Sequence, residues 1–317
     1  MNLLEANDMR VEYAARGAPL RAVDGVGFAI AKGETLGLVG ESGCGKSTLG
    51  KAMLGLVPVA GGRVTLGEAE VPLGHERRMR PFRRRMQMIF QDPYGSLNPR
   101  HTIGRILATP LKVHGLGDAA RRNETVGRVL DLVGLPPEAA ARYPHEFSGG
   151  QRQRIGIARA IILEPELIVC DEPVSALDLS IQAQILNLLA RLKTSLGLSY
   201  LFISHDLSVV RYFSDRIMVM YLGRIVESGT ADAVWSTPLH PYTRLLLDSV
   251  PRPEQRRQAR APAAAGPAAP AGPGCRFSPR CPLATEICRS TTPELRAVEG
   301  GHAAACHHAE QMRTMRP

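Results

Sequence analysis

The stretch "ETLGLVGESGCGKSTLGKAMLGL", Glu34 to Leu56, changes character twice. Its opening, ETLGLVG, is apolar and reads as a buried strand that breaks at glycines; its end, KSTLGKAMLGL, opens a helix. Between them GESGCGKST fits the pattern Gly-x4-Gly-Lys-Ser at Gly40, Gly45, Lys46 and Ser47. The mechanism of a phosphate cradle demands that strand-to-helix context. Over Gly40, Glu41, Ser42, Gly43, Cys44 and Gly45 the backbone N–H groups can curl around phosphate oxygens, because glycine tolerates the tight turn. Lys46 can reach the β and γ groups, the Ser47 hydroxyl can bind Mg²⁺, and the dipole of the helix running on through Thr48 adds to the pull. Cys44 suits the loop by its size, and its thiol need do nothing.

Two further segments extend the site. In "LIVCDE" four apolar residues drive a strand through the core, and its carboxyl end presents Asp171 for Mg²⁺ contact and Glu172 to orient or deprotonate a water. In "FSGGQRQRIGIARA", Phe147 to Ala160, Ser148 and Gln151 form a capping-box pattern ahead of a helix whose apolar side is Ile155, Ala158, Ile161 and Ile162. A well-capped helix accounts for that much. Gly149 and Gly150 at its first positions weaken it, and they make sense chiefly where something approaches the backbone closely. A helix start stripped of side chains attracts an anion, which need not be the one held by the same chain's Lys46.

The 317 residues, 44% of them apolar, are enough to bury a proper core. No segment approaches the ~18 uninterrupted apolar residues of a membrane span and the start carries no leader pattern, so a cytosolic chain with a peripheral membrane role is expected. The net charge of +9 is largely local, with six arginines in "HERRMRPFRRRMQ" and four in "PRPEQRRQAR". The two runs hold a single Phe, Phe82, between them and only 5% of the chain is aromatic, which argues against a single-strand nucleic-acid groove. A solvated basic face, of the kind that can turn to an anionic bilayer, fits better. Along the chain, 3–94 is strand-rich, 96–164 is mostly helical, and "ELIVCDE", "SYLFISHD" and "DRIMVMYLGRIVES" then bring core strands back in the strand-helix-strand rhythm of a largely parallel sheet. Residues 251–274, rich in proline, alanine and glycine, read as an extended linker, and 275–317 as a short cysteine-rich module.

These motifs together resemble the ATP-binding subunits of ABC transporters, over nearly the whole chain: the phosphate loop at Gly40 to Thr48, Gln91 in "MIFQDPYGSLNPR", "FSGGQ", Asp171 and Glu172, "SALD" at Ser175 to Asp178, and "SHD" with His205. The resemblance implies an α/β fold, a P-loop NTPase core with an N-terminal antiparallel β subdomain, an inserted helical subdomain and the cysteine-rich extension, with 1–250 as one ATPase domain. It implies two cassettes meeting head to tail, so that Ser148, Gly149, Gly150 and Gln151 close on a partner's ATP and Asp178 contacts the opposing subunit. Tyr13 is similar to the aromatic that stacks on adenine, with a plain strand-edge tyrosine as the other reading. Gln91 resembles the residue that touches Mg²⁺ and water, alongside Ser47 and Asp171 as magnesium contacts; His205 resembles the switch histidine on the γ-phosphate, catalytic together with Glu172. "QDPYGSLNPR", "HPYTRLLLDSVP" and "GCRFSPRCPLA" are similar to the dipeptide and oligopeptide importer group. That group implies a paralogous second ATPase, two membrane permease subunits, an external solute-binding protein, no nucleic acid, and a place on the cytoplasmic face of the bacterial inner membrane. Phe147 stands where leucine is commonest, a swap that keeps apolar bulk.

A soluble ABC protein acting on nucleic acid or ribosomes is the alternative, but there is one GKST, and only about a hundred residues separate it from SGGQ, too few for a second domain with a coiled coil. Cys275, Cys281, Cys288 and Cys306 are spaced x5, x6 and x17, unlike the tight pairs of common zinc ribbons. Four thiolates can hold a [4Fe–4S] cluster, as relatives in the importer group are similar in doing; zinc, with His302, His307 and His308 as spare ligands, competes, and unliganded thiols are the remaining reading. Cys170 is excluded by its core strand.

Overall fold

A computed structural model describes residues 2–14, 19–92, 95–175, 177–250 and 273–314. In chain order they form β1 (Asn2–Tyr13), β2 (Leu20–Ala31), β3 (Thr35–Val39), α1 (Lys46–Met53), β4 (Gly61–Leu66), β5 (Ala69–Glu70), α2 (Glu76–Arg85) and β6 (Met86–Ile89). Three helices follow, α3 (Ile103–Val113), α4 (Ala119–Leu132) and α5 (Gly149–Ile161). Then come β7 (Leu167–Asp171), α6 (Leu179–Leu196), β8 (Ser199–Ser204), α7 (Leu207–Phe213), β9 (Arg216–Tyr221), β10 (Arg224–Thr230), α8 (Ala231–Ser236) and α9 (Pro241–Asp248). The tail adds α10 (Glu286–Ser290), β11 (Arg296–Glu299), β12 (His302–Ala304) and α11 (Ala309–Thr314).

The strands make two sheets. The N-terminal one is antiparallel in the order β2-β1-β4-β5. The larger has the order β11-β12-β10-β9-β3-β8-β7-β6, and from β9 to β6 every pairing is parallel. Every residue of β3, β7 and β8 is buried, as expected of parallel strands covered on both faces. Alternation then splits the core into two layers. Leu167, Val169, Leu201 and Ile203 face the N-terminal sheet and α1, while Ile168, Cys170, Tyr200 and Phe202 face the helices from α3 to α6. At Gly37 of β3 a Cβ would lie 2.3 Å from Val210 Cγ1 of α7, so the bare backbone sets how closely that helix packs.

Two features were not legible as a run of core strands. "DRIMVMYLGRIVES" is a hairpin, β9 and β10 joined through Leu222 (φ 43°) and Gly223 (φ 85°), the two positive-φ positions of a tight two-residue turn. The cysteine-rich tail, expected as a module of its own, extends the main sheet. Its β12 pairs antiparallel with β10, with Glu227 opposite Ala304 and Ser228 opposite Ala303, and Ala305 N donates to Val226 O at 2.8 Å. Of the expected linker, 251–272 lies outside the described residues. The arginine-rich run forms α2, which buries only Met79.

Candidate nucleotide site

The carboxyl ends of β3, β7 and β8 lie side by side, so the segments that follow them meet in one crevice. After β3 the chain turns through the phosphate loop. Gly45, at φ 109°, is the N-cap of α1 and supplies no side-chain cap, which leaves the helix's first amides to a ligand. A Cβ there would lie 2.1 Å from Ala22 O, and one on Gly40 would lie 2.2 Å from Met220 O, so both glycines are also demanded by close packing. Gly43, at φ 80°, has nothing within 4 Å of where its Cβ would be, and with Ser42 it forms the open tip. Lys46 is buried, and its Nζ donates to Gly40 O at 2.7 Å and Glu41 O at 2.9 Å, the carbonyls satisfying an ammonium that a phosphate would otherwise pair. Cys44 Sγ lies 3.8 Å from that Nζ, and burial pushes the thiol pKa up.

The acidic strand end completes the site. Ser47 Oγ donates to Asp171 Oδ1 at 2.6 Å, so hydroxyl and carboxylate already share one point, and two hard oxygens suit Mg²⁺. Burial raises the Asp171 pKa, against the pull of the Ser47 hydrogen bond. Glu172 sits at φ 46°, a left-handed conformation that costs a non-glycine residue about 1–3 kcal/mol. Its Oε2 receives Gln91 Nε2 at 3.0 Å and lies 3.2 Å from His205 Nδ1, so one carboxylate oxygen is held between the other two candidates. The crevice thus gathers Gly40 to Thr48, Gln91, Asp171, Glu172 and His205.

The other sequence candidates are held by local contacts. Among the described residues, Ser148 and Gln151 bond each other rather than the phosphate loop: Ser148 N donates to Gln151 Oε1 at 3.0 Å and Gln151 N to Ser148 Oγ at 3.4 Å. Ser148 is solvent-exposed. Gly149 has room for a Cβ, its nearest neighbour being Leu177 Cδ2 at 3.8 Å, whereas a Cβ on Gly150 would meet Ile181 Cγ2 at 2.7 Å. The chain's own packing therefore explains Gly150, and only Gly149 is left bare without an internal reason. Asp178 caps α6, accepting from Ile181 N at 3.0 Å and Ser180 Oγ at 2.7 Å. Tyr13 is a partly exposed residue at the end of β1.

Sequence reasoning missed a second ring of contacts, which comes from α9 and the tail. Tyr242 OH accepts from Glu41 N at 2.8 Å, and Arg280 places both guanidinium nitrogens 2.9 Å from the two Glu41 carboxylate oxygens. Phe277, fully buried, packs on Tyr221, Tyr242 and His240. Arg276 joins Arg224 on the buried Asp24. Burial pushes the Asp24 pKa up, but the Arg224, Arg276 and Arg21 guanidiniums outweigh it and hold the carboxyl below its ordinary value. Glu227, wholly buried, accepts from Leu239 N and His240 N at 2.9 Å and lies 2.8 Å from His302 Nε2. The only hint in the sequence is an aromatic between two arginines in "CRFSPRC".

The expectation of a metal centre in the tail meets a different geometry. Cys275, Cys281, Cys288 and Cys306 share a neighbourhood: burial pushes the Cys306 thiol up to about 12, and the other three sulfurs add to the rise. Among the described residues, however, no three His, Cys, Asp or Glu side chains converge as metal ligands. The spare histidines bond elsewhere, His302 to Glu227, His307 Nε2 to Thr291 O and His308 Nε2 to the Thr285 hydroxyl, so a cluster or zinc would require the four thiols to be drawn together.

Comparison with known proteins accords with the crevice. A family profile described as ABC transporter matches residues 23–175, and one described as the C-terminal region of oligopeptide/dipeptide transporters matches 226–288. A peptide import ATP-binding protein of Brucella ovis is 50% identical over 307 residues, covering 96% of this chain and 97% of that protein. The chain belongs to the ABC transporter family. It is an ATPase of that family. The oligopeptide transport ATP-binding protein AppF of Bacillus subtilis is 48% identical over 318 residues, covering 96% of this chain and 97% of AppF. Among solved structures, a dimer of the ATP-binding cassette MJ0796 with ADP and Pi is 26% identical at a TM-score of 0.65, covering 72% of this chain and 98% of that one. The fold is also that of cbiO1 from Clostridium perfringens, with a TM-score of 0.66 at 24% identity, covering 74% of this chain and 90% of that one.

Proposed function

We propose that this chain is the ATP-hydrolysing subunit of a membrane importer of peptides. One observation carries the reading: the Ser47–Asp171 pair and the Gln91–Glu172–His205 group converge beside the phosphate loop, while the bare helix start at Ser148 faces solvent in the same chain. The importer part is supported by the Brucella and Bacillus relatives, named for peptide import and oligopeptide transport. Two cassettes meet head to tail, with Tyr13, Gly40 to Thr48 and Lys46 holding ATP from one side and Ser148, Gly149, Gly150 and Gln151 of the other closing on it, and Asp178 at the contact. The MJ0796 cassette is dimeric, which supports this arrangement. Ser47, Asp171 and Gln91 would hold the Mg²⁺, which neutralises charge on the phosphates. Glu172 takes a proton from the attacking water, His205 fixes that carboxylate, and Gln91 links it to the metal side.

Among the described residues no helix is long and apolar enough to cross a membrane, so passage of solute falls to partner subunits. We place the chain on the cytoplasmic face of the bacterial inner membrane, in a heterodimer with a paralogue, under two permeases fed by an external solute-binding protein. For the tail, the proposal assigns Cys275, Cys281, Cys288 and Cys306 to a [4Fe–4S] cluster, with zinc the alternative. Four thiols in one neighbourhood support it, and they would have to draw together to bind. Visible absorbance and metal analysis of anaerobically purified protein decide this, and colourless, metal-free protein overturns it. The dimer reading is tested with Ser148→Arg, which leaves ATP binding by the isolated chain intact and abolishes hydrolysis in the assembled transporter. Hydrolysis at the wild-type rate would refute it.

A further inference from the structure

We infer that Arg280 is a positioning residue for ATP, clamping Glu41 of the phosphate loop so that the tail sets the chain's affinity for nucleotide. The inference rests on the reading of Gly40 to Thr48 as the ATP loop. Glu41 is held at three points from three parts of the chain. Its N–H donates to Tyr242 OH, its carbonyl accepts from Lys46 Nζ, and its carboxylate takes both nitrogens of the Arg280 fork. Exposed ion pairs contribute little, because long side chains lose entropy to hold one geometry. This one differs, since the Arg280 side chain is only 11% exposed, bidentate, and packed against the Tyr221 and Phe277 rings. Its own support is firm: Phe277 is buried among aromatics, Arg276 is tied to Asp24, and β12 is paired to β10.

The clamp does two things for a polyphosphate. It fixes the backbone of the loop whose amides receive the phosphates, which lowers the ordering cost of binding. It also neutralises a carboxylate beside the place where anionic oxygens must sit, which an unpaired Glu41 would oppose. Both effects act on affinity. Neither touches Glu172 or the water, so the rate at saturating ATP is not the quantity they change.

The test is a double-mutant cycle on the full chain, titrated with Mg²⁺ and ATP, with turnover measured in the assembled transporter. Arg280→Gln weakens ATP binding about tenfold, or about 1.4 kcal/mol, and raises KM alike while kcat stays within about twofold. Arg280→Lys, which keeps the charge and loses the fork, falls between. Adding Glu41→Gln to Arg280→Gln removes the stranded charge and recovers most of the lost affinity. Wild-type affinity in Arg280→Gln overturns the inference. So does a double variant no better than Arg280→Gln, since loosening of the tail as a whole is not relieved at Glu41. A wild-type chain that binds no ATP would instead remove the ATP-loop reading itself.

Discussion

Replacing Glu172 with glutamine tests the chemistry with almost no change of shape. The side chain is 11% exposed, and its Oε2 lies 3.0 Å from Gln91 Nε2 and 3.2 Å from His205 Nδ1. Glutamine keeps the volume, and its one amide oxygen, placed where Oε2 stands, can keep both neighbours while its NH₂ takes the place of Oε1. The nucleotide cradle is built by other residues, and ATP affinity should stay within about threefold. What is lost is the proton acceptor. A positioned base contributes roughly 10²–10⁴-fold, or about 2.7–5.4 kcal/mol of barrier. Phosphate release from the reconstituted transporter at saturating ATP should therefore fall at least about 100-fold, while binding titrations stay near wild type and ATP-bound dimers accumulate in light scattering. Release above roughly a tenth of the wild-type rate would refute the assignment of Glu172 as base, because a transition-state role cannot be that small.

The two glycines of the signature make a contrasting pair. Gly149→Ala has room for its methyl and should fold with stability equal or up to about 1 kcal/mol higher, by thermal melting, yet lose turnover; unchanged turnover would show that no ligand needs that bare backbone. Gly150→Ala should lower the melting temperature of the isolated chain, since Ile181 must move. Asp24→Asn strands Arg276 and should free the 275–281 segment for hydrogen exchange at pH 7, at a cost of about 3 kcal/mol. Because the folded Asp24 pKa lies below its ordinary 3.8, the stability it provides is complete above that value and is lost only as pH falls through the folded pKa. Exchange at pH 5 should therefore leave the wild-type segment protected, and loss of protection there would contradict the triple-arginine environment.

The nucleotide crevice was legible because its logic is local. A strand, a glycine turn and a lysine at fixed spacing dictate a cradle, and two acids at the end of an apolar run must emerge where that strand does. The capping box of Ser148 and Gln151 formed with both reciprocal hydrogen bonds for the same reason. What could not be read were contacts across long separations. Glu41 and Arg280 lie 239 positions apart, and Glu227 and His302 75 apart, with no periodicity to connect them. The hairpin at Leu222 and Gly223 was hidden because the apolar run of β9 resumes at Ile225 and Val226 and leucine rarely takes a positive φ. The packing reason for Gly150 was likewise out of reach, since the Ile181 side chain that crowds it belongs to a helix whose packing only the folded chain reveals.

The pairing of β12 with β10 has a practical consequence for protein chemistry. A version shortened at residue 250 to dispose of the four tail cysteines would leave β10 as a naked sheet margin, with the Val226 carbonyl unmet and Glu227 deprived of His302. Such margins recruit strands from other molecules. Clumping of the shortened protein would then report an uncovered border, and the thiols are better studied one serine replacement at a time.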